Sequence, residues 1–434
     1  MEGVRNAFIG LLRSGLWGRD PVAEGFQRLS DEQWNMVFRL SGRQTVTGIV
    51  FDGICRLPED LQPSPAIFAP WVVAVDRIER SNERMNDVLK SLVKLFADNG
   101  LNPVLQKGQG VAALYPEPLH RECGDIDLYF PEGLSLRQAQ RPDNVAQWPD
   151  NVAQRPDNVA QWPNNVAQRP DNVTQRPDNV AQWPSAESAE ASEMTENGKA
   201  AELVRNRGAK VETMPDGSQN YEWEGIEIEQ HPTIVDLCSP RTRKLIEELD
   251  DDPGFIPSTL ADGLLVPSPE LNALLLNSHI LKHTLGKGIG LRQMCDLAMV
   301  YHQISGAAGC DEYGERIFRL YRRGRILKWS SLLHSFLVDI IGLRKEELPY
   351  SERDVSPEPL LRIVEEGGNF GQYRGEDSGH SGTSTSSATG RLSDRKRKLK
   401  TAGMFLRRAG FSMRFAPKEA FWTFWELVKG QFRK

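Results

Sequence analysis

Residues 121–130 read Arg121-Glu122-Cys123-Gly124-Asp125-Ile126-Asp127-Leu128-Tyr129-Phe130. Strand alternation places Asp125 and Asp127 on one face and Ile126, Leu128 and Phe130 on the other. The apolar face can pack a core while two carboxylates converge on the opposite side. Like charges so close repel in a partly desolvated site unless a cation lies between them. Hard oxygen donors of this kind suit Mg²⁺ or Mn²⁺. An Asp-x-Asp at a solvent-facing strand edge remains the plainer reading of the pair taken alone.

Two neighbouring stretches extend the pattern. Upstream, Pro103-Val104-Leu105-Gln106-Lys107-Gly108-Gln109-Gly110 is an apolar strand that ends at Gly108 and runs into the helix-like Val111-Ala112-Ala113-Leu114-Tyr115. Glycines there let backbone N–H groups approach an anion, and Lys107 adds a positive charge. The same text is also an ordinary strand-to-helix connection. Downstream, Gly225-Ile226-Glu227-Ile228-Glu229-Gln230-His231-Pro232 alternates again, with Glu227, Glu229 and His231 on one face and Ile226 and Ile228 buried. Most of the chain between Asp127 and Glu229 is repeat and linker, so the two strands suit neighbouring positions in one sheet.

That intervening text is six tandem heptads from Arg141 to Gln182, RPDNVAQ, WPDNVAQ, RPDNVAQ, WPNNVAQ, RPDNVTQ and RPDNVAQ, trailed by Trp183-Pro184. A proline in the second position of every copy forbids a continuous helix. Val, Ala and an occasional Trp bury too little area to offset an ordering entropy of about 1–2 kcal/mol per residue. An extended or turn-rich disordered insert is expected; a repeated Trp/Pro ligand for a protein partner is the alternative. Deleting Arg141 to Gln182 is expected to leave folding and any activity intact, and loss of soluble protein from the deletion would contradict this. Ser185 to Asn197 continues the linker, and Gly367 to Ser387 is a second, Gly/Ser-rich one.

Helical periodicity dominates the rest. Trp34, Val37, Phe38 and Leu40 form one segment, and Leu89, Leu92, Val93 and Phe96 line another that stops at Asn99-Gly100. Pro269 to Ile304 and Glu315 to Ile341 are again mostly helical. The organisation expected is an N-terminal helical region (1–100), a core in two parts (101–136 and 200–257) around the insert and linker (137–199), a helical domain (258–348), a flexible linker (349–390) and a basic, aromatic helical segment (391–434). The fold class is α+β, a small mixed β-sheet core flanked by helical regions.

The chain has 434 residues, room for two or three domains, with 39% hydrophobic and 26% charged residues. Its mean hydropathy of −0.47 agrees with part of the length being linker. Lys+Arg 53 against Asp+Glu 59 gives a net charge of −6, which argues against a strong nucleic-acid-binding field. Five scattered cysteines without a C-x-x-C indicate neither a disulfide framework nor a thiolate zinc site. No leader or membrane-spanning run is recognised, so a soluble, cytoplasmic protein is expected.

The text L-Q-K-G-Q-G-V-A-A-L-Y-P-E-P-L-H-R-E-C-G-D-I-D-L, then I-E-I-E-Q-H, then G-L-R-Q-M-C-D-L-A resembles the nucleotidyltransferases of the DNA polymerase β-like superfamily, in particular a large uncharacterised bacterial family. The resemblance covers Leu101 to Tyr301 without the repeats. It implies an enzyme that moves a nucleoside monophosphate from an NTP such as ATP to an acceptor hydroxyl, releasing pyrophosphate. It also implies that Asp125, Asp127 and a third acid, Glu229 ahead of Glu227, hold Mg²⁺ or Mn²⁺, and that Lys107, Gly108 and Arg121 contact the nucleotide. The superfamily's usual Gly-Ser reads Gly108-Gln109 here, which removes the hydroxyl contact to phosphate but not the backbone contacts. Two other readings stay open: a non-catalytic nucleotide-sensing or interaction module, and a toxin-like modifier of tRNA or protein.

Three further signals read as structural. Arg292 and Asp296, one turn apart, form the simplest of helix ion pairs, with a role in the nucleotide or acceptor pocket as the alternative. His279 and His283 lack the remaining ligands of a zinc site. The Arg395–Lys398 run with Phe405, Phe411, Phe415, Phe421, Trp422, Phe424 and Trp425 suggests a terminal amphipathic helix docked through its aromatics, with a nucleic-acid or membrane-surface segment as the alternative.

Overall fold

Alternation of period two builds the centre of the molecule and periodicity near 3.6 builds its flanks. The computed structural model describes residues 2–22, 25–132, 194–214, 216–235, 239–240, 254–286, 288–307, 310–351, 355–367 and 408–432. The heptad repeats, the linker as far as residue 193, the Gly/Ser-rich run beyond 367, Arg395–Lys398 and Phe405 lie outside the described residues.

Four helices come first: α1 (Glu2–Trp17), α2 (Asp31–Gln44), α3 (Thr47–Cys55) and the long α4 (Pro65–Ala97). Ser30 caps α2 in a reciprocal box, accepting from Gln33 N while Gln33 Oε1 accepts from Ser30 N at 2.8 Å. Close approach of α1 and α3 demands glycine on both sides. A Cβ at Gly15 would lie 1.8 Å from the Ile49 carbonyl oxygen, and one at Gly53 would lie 2.1 Å from that of Leu11. As Asn99-Gly100 foretold, α4 stops there: Gly100 takes φ +76° and Leu101 N donates back to Phe96 O.

The core follows as β1 (Val104–Gln106), α5 (Gly108–Ala112), β2 (Ile126–Tyr129), α6 (Glu196–Asn206), β3 (Glu212–Thr213), β4 (Gln219–Trp223), β5 (Ile226–His231), β6 (Phe255–Pro257) and β7 (Leu265–Pro267). The seven strands form one mixed sheet in the order β3-β4-β5-β2-β1-β7-β6. β2 lies parallel to β5 and antiparallel to β1, and β1 lies parallel to β7. β7 falls inside the span expected to be helical from 258. Three residues are too few for a periodic signal, and only pairing with β1 reveals the strand.

Then come α7 (Pro269–Leu285), α8 (Leu291–Gly306), α9 (Cys310–Gly324), α10 (Leu327–Phe336), α11 (Glu358–Gly367), α12 (Ala409–Phe415) and α13 (Pro417–Phe432). The protein is therefore α+β. One sheet face, carrying Leu105, Ile126, Leu128, Ile228 and Val266, packs with Leu89, Leu92 and Phe96 of α4 and Val204 of α6. From the other face Val104, Leu265 and Phe255 join a larger core with Leu274 and Leu281 of α7 and Met294 and Leu297 of α8. The catalytic candidates share this second face.

Two elements differ from expectation. The stretch read as a flexible linker from 349 contains α11, whose Leu360, Leu361, Ile363 and Val364 are buried at helical spacing; Gln44 Nε2 donates to Val364 O at 3.1 Å. At the C-terminus the aromatics divide. Phe415 of α12 is buried and Phe411 packs edge-on to Trp329, whereas Phe421, Phe424 and Trp425 of α13 are exposed. Among the described residues no helix is long and apolar enough to cross a membrane.

Candidate active site

The register of two parallel strands decides which acids meet. Asp127 of β2 stands directly across from Glu229 of β5, while Glu227 pairs on its other side with Glu222 and is exposed. Asp127 is buried, 5% exposed, and its Oδ1 accepts from His231 Nε2 at 2.6 Å and from Lys107 Nζ at 3.0 Å. His231 Nδ1 lies 3.9 Å from Glu229 Oε1. Asp127, Glu229 and His231 bring one donor atom each within 4.8 Å of one another, the only such three-residue group among the described residues. Two carboxylates and an imidazole on one sheet face, with Asp125 beside them, fit a divalent cation.

The expected residues Asp125, Asp127, Glu229 and Lys107 thus gather at one place. His231 was on the correct face of its strand in the sequence pattern, but it did not enter the expected site; the alternation of Glu229 and His231 was the signal for it. Lys107 leaves β1 with φ +51°, ψ −142°, a sparsely populated conformation for a lysine, and Gly108 follows at φ +43°. This sharp exit lets the lysine chain fold back onto Asp127. Beyond it, Gln109 is 3% exposed and neither atom of its side-chain amide has a hydrogen-bond partner. Next to Gly108 this chain therefore presents a buried and unsatisfied amide.

The carboxylates differ in ionisation. Asp127 next door, with burial second, pushes Asp125 up to about 6, although Lys107 and Arg292 pull the other way. Burial also opposes ionisation of Asp127, but Lys107 and His231 outweigh it and hold the carboxyl well below the usual range. A proton on Asp125 competes with a metal ion. Affinity for Mn²⁺ is therefore expected to rise from about pH 5 to about pH 7 as Asp125 ionises, then level off. Mn²⁺ titrations across that window check this, and a flat profile would contradict it.

Helices from both ends of the chain pin the segment that delivers Asp125 and Asp127. Asn82 Nδ2 donates to the carbonyls of Leu119 and Arg121, and the carboxylate of Glu122 accepts from Thr47 N. His120 lies between Asp52 at 2.7 Å and Glu79 at 2.9 Å; burial opposes its charged form, yet the two acids lift it to about 9. Arg121, 4% exposed, makes a two-pronged pair with Asp296 of α8, Nε at 2.9 Å and Nη2 at 2.6 Å, and Tyr115 Oη donates to the same carboxylate at 2.7 Å. Its Nη1 reaches Glu122 O and Cys123 Sγ, so all three guanidinium nitrogens are engaged.

Asp296 is thus the partner of Arg121. Arg292, expected to pair with it along the helix, instead donates through Nη1 to Glu122 O at 2.6 Å. A long-range guanidinium that meets both carboxylate oxygens displaces a local i,i+4 contact worth about 0.2–0.5 kcal/mol. His279 and His283 of α7 stand with ring centroids 4.3 Å apart. Burial, then the nearby cation Lys107, holds His279 well below the usual histidine range, so it sits neutral against the site.

Facing acids on adjacent parallel strands of a mixed sheet, with a lysine at the turn leaving the neighbouring strand, make a site that could hold a divalent metal ion. Residues 30–141 and 195–327, more than half of the chain, match the family described as uncharacterised nucleotidyltransferase, and the chain belongs to that family. No curated protein and no solved structure matches it.

Proposed function

We propose that the protein transfers a nucleoside monophosphate from an NTP to an acceptor hydroxyl. The acceptor oxygen forms a bond to the α-phosphorus, the bond from that phosphorus to the β-phosphate bridging oxygen breaks, pyrophosphate departs and the hydroxyl proton is lost. Family membership supports the reaction class. The observation that carries the reading is the convergence of Asp127, Glu229, His231 and Lys107 on one sheet face.

Asp125, Asp127 and Glu229 would hold Mg²⁺ or Mn²⁺, which would neutralise triphosphate charge and acidify the attacking hydroxyl. Lys107 is placed to exchange its contact with Asp127 for one with a phosphate oxygen. His231 orients the Asp127 carboxylate through Nε2. Arg121 acts through the rigid segment before β2.

Parallel incubations with α-labelled and γ-labelled NTPs, with Mg²⁺ or Mn²⁺ and small-molecule, protein and RNA fractions of a cell extract, test the proposal. Label is expected to enter one fraction from the α position only, with pyrophosphate released. Transfer from the γ position, or from neither, would overturn it.

A further inference from the structure

We infer that Arg292 is a further nucleotide-binding residue, one that grips the β- and γ-phosphates that leave as pyrophosphate; this rests on the nucleotidyl-transfer reading above. Arg292 is the second residue of α8, the helix whose Asp296 anchors Arg121. Its Nη1 is spent on Glu122 O, which fixes the guanidinium beside the entry to β2. Its Nε is closed to solvent and has no hydrogen-bond partner.

A charged donor left unsatisfied in a closed environment is unfavourable. The surroundings add to this, because burial and the nearby cation Arg121 both disfavour the charged form of Arg292, while Asp296 and Asp125 favour it. A cation kept next to another cation, with a donor to spare and a catalytic carboxylate within electrostatic reach, is poised for an incoming anion.

The anion follows from the layout. Asp127 is held by Lys107 from the β1 side, and Asp125 is acted on by Arg292 from the α8 side. An acceptor hydroxyl carries no charge that calls for a guanidinium at this place. A departing diphosphate gains charge as the bond to the α-phosphorus breaks, and a planar donor fork matches phosphate oxygens. Arg121 has no such freedom, since Asp296, Glu122 and Cys123 occupy its nitrogens.

Pyrophosphate is the probe of choice because it is common to all NTPs. Calorimetry with pyrophosphate and Mn²⁺ compares the wild type with Arg292→Gln, which keeps a polar side chain but removes the charge and the donor fork, and with Asp127→Asn. Affinity is expected to fall at least about tenfold in Arg292→Gln. Independently of any loss of fold, the Arg292 Nε–H resonance of ¹⁵N-arginine-labelled wild type, assigned by its absence from Arg292→Lys, is expected to shift on adding pyrophosphate. Wild-type affinity in folded Arg292→Gln, or an unmoved resonance while wild type binds pyrophosphate, would overturn the role of Arg292 alone. No metal-dependent binding of pyrophosphate or of any NTP by the wild type would remove the nucleotidyl-transfer reading and this proposal together.

Discussion

Asp127→Asn is expected to lower transfer of α-label by about 10³-fold or more, a loss near 4 kcal/mol of transition-state stabilisation. Asparagine keeps the shape of the side chain and one acceptor oxygen for His231 Nε2, so β2 should retain its place between β1 and β5. What disappears is the negative charge that Lys107 and His231 hold ionised in the folded protein. Glu229→Gln should do less, because Glu229 is partly exposed and 3.9 Å from His231. Initial rates with the labelled NTP that serves as substrate, beside thermal unfolding of each variant, check both expectations. Activity within tenfold of wild type in Asp127→Asn would place the chemistry elsewhere.

The second large effect is on stability. Removing the carboxylate in Asp296→Ala leaves the Arg121 guanidinium buried and uncompensated and deprives Tyr115 Oη of its acceptor. Breaking a buried pair in this way costs about 3–5 kcal/mol. The double variant Arg121→Met/Asp296→Leu is expected to recover much of that, since apolar residues of similar volume relieve the desolvation that the ion pair otherwise offsets. Denaturant midpoints for the single and double variants form the test. Equal losses in both would show that the charges matter less than the packing around them.

Much of this architecture is legible without coordinates because its cues are local. Asp125-Ile126-Asp127-Leu128 and Ile226-Glu227-Ile228-Glu229 announce strands with an acidic side and an apolar side, and the structure buries Ile126, Leu128 and Ile228 in a common core. Asn99-Gly100 marks the end of α4, where only a left-handed residue lets the chain turn and satisfy the last carbonyls. The short strand β7 escapes such reading. So does α11, which lies in a span whose later part is rich in glycine and serine.

Pairings between distant residues are of another kind. Alternation puts Glu227 and Glu229 on the same side of β5, and only the parallel register with β2 sets Glu229 against Asp127. Sequence spacing favours Arg292 with Asp296, and the family resemblance sets Arg121 beside the nucleotide. The folded chain pairs them differently, because buried Asp296 is best satisfied by the two-pronged guanidinium of Arg121, 175 positions away, and Arg292 donates instead to Glu122 O. Periodicity is a property of neighbouring residues and can be read from the chain. Which charges meet depends on desolvation and geometry that exist only once sheet and helices have packed.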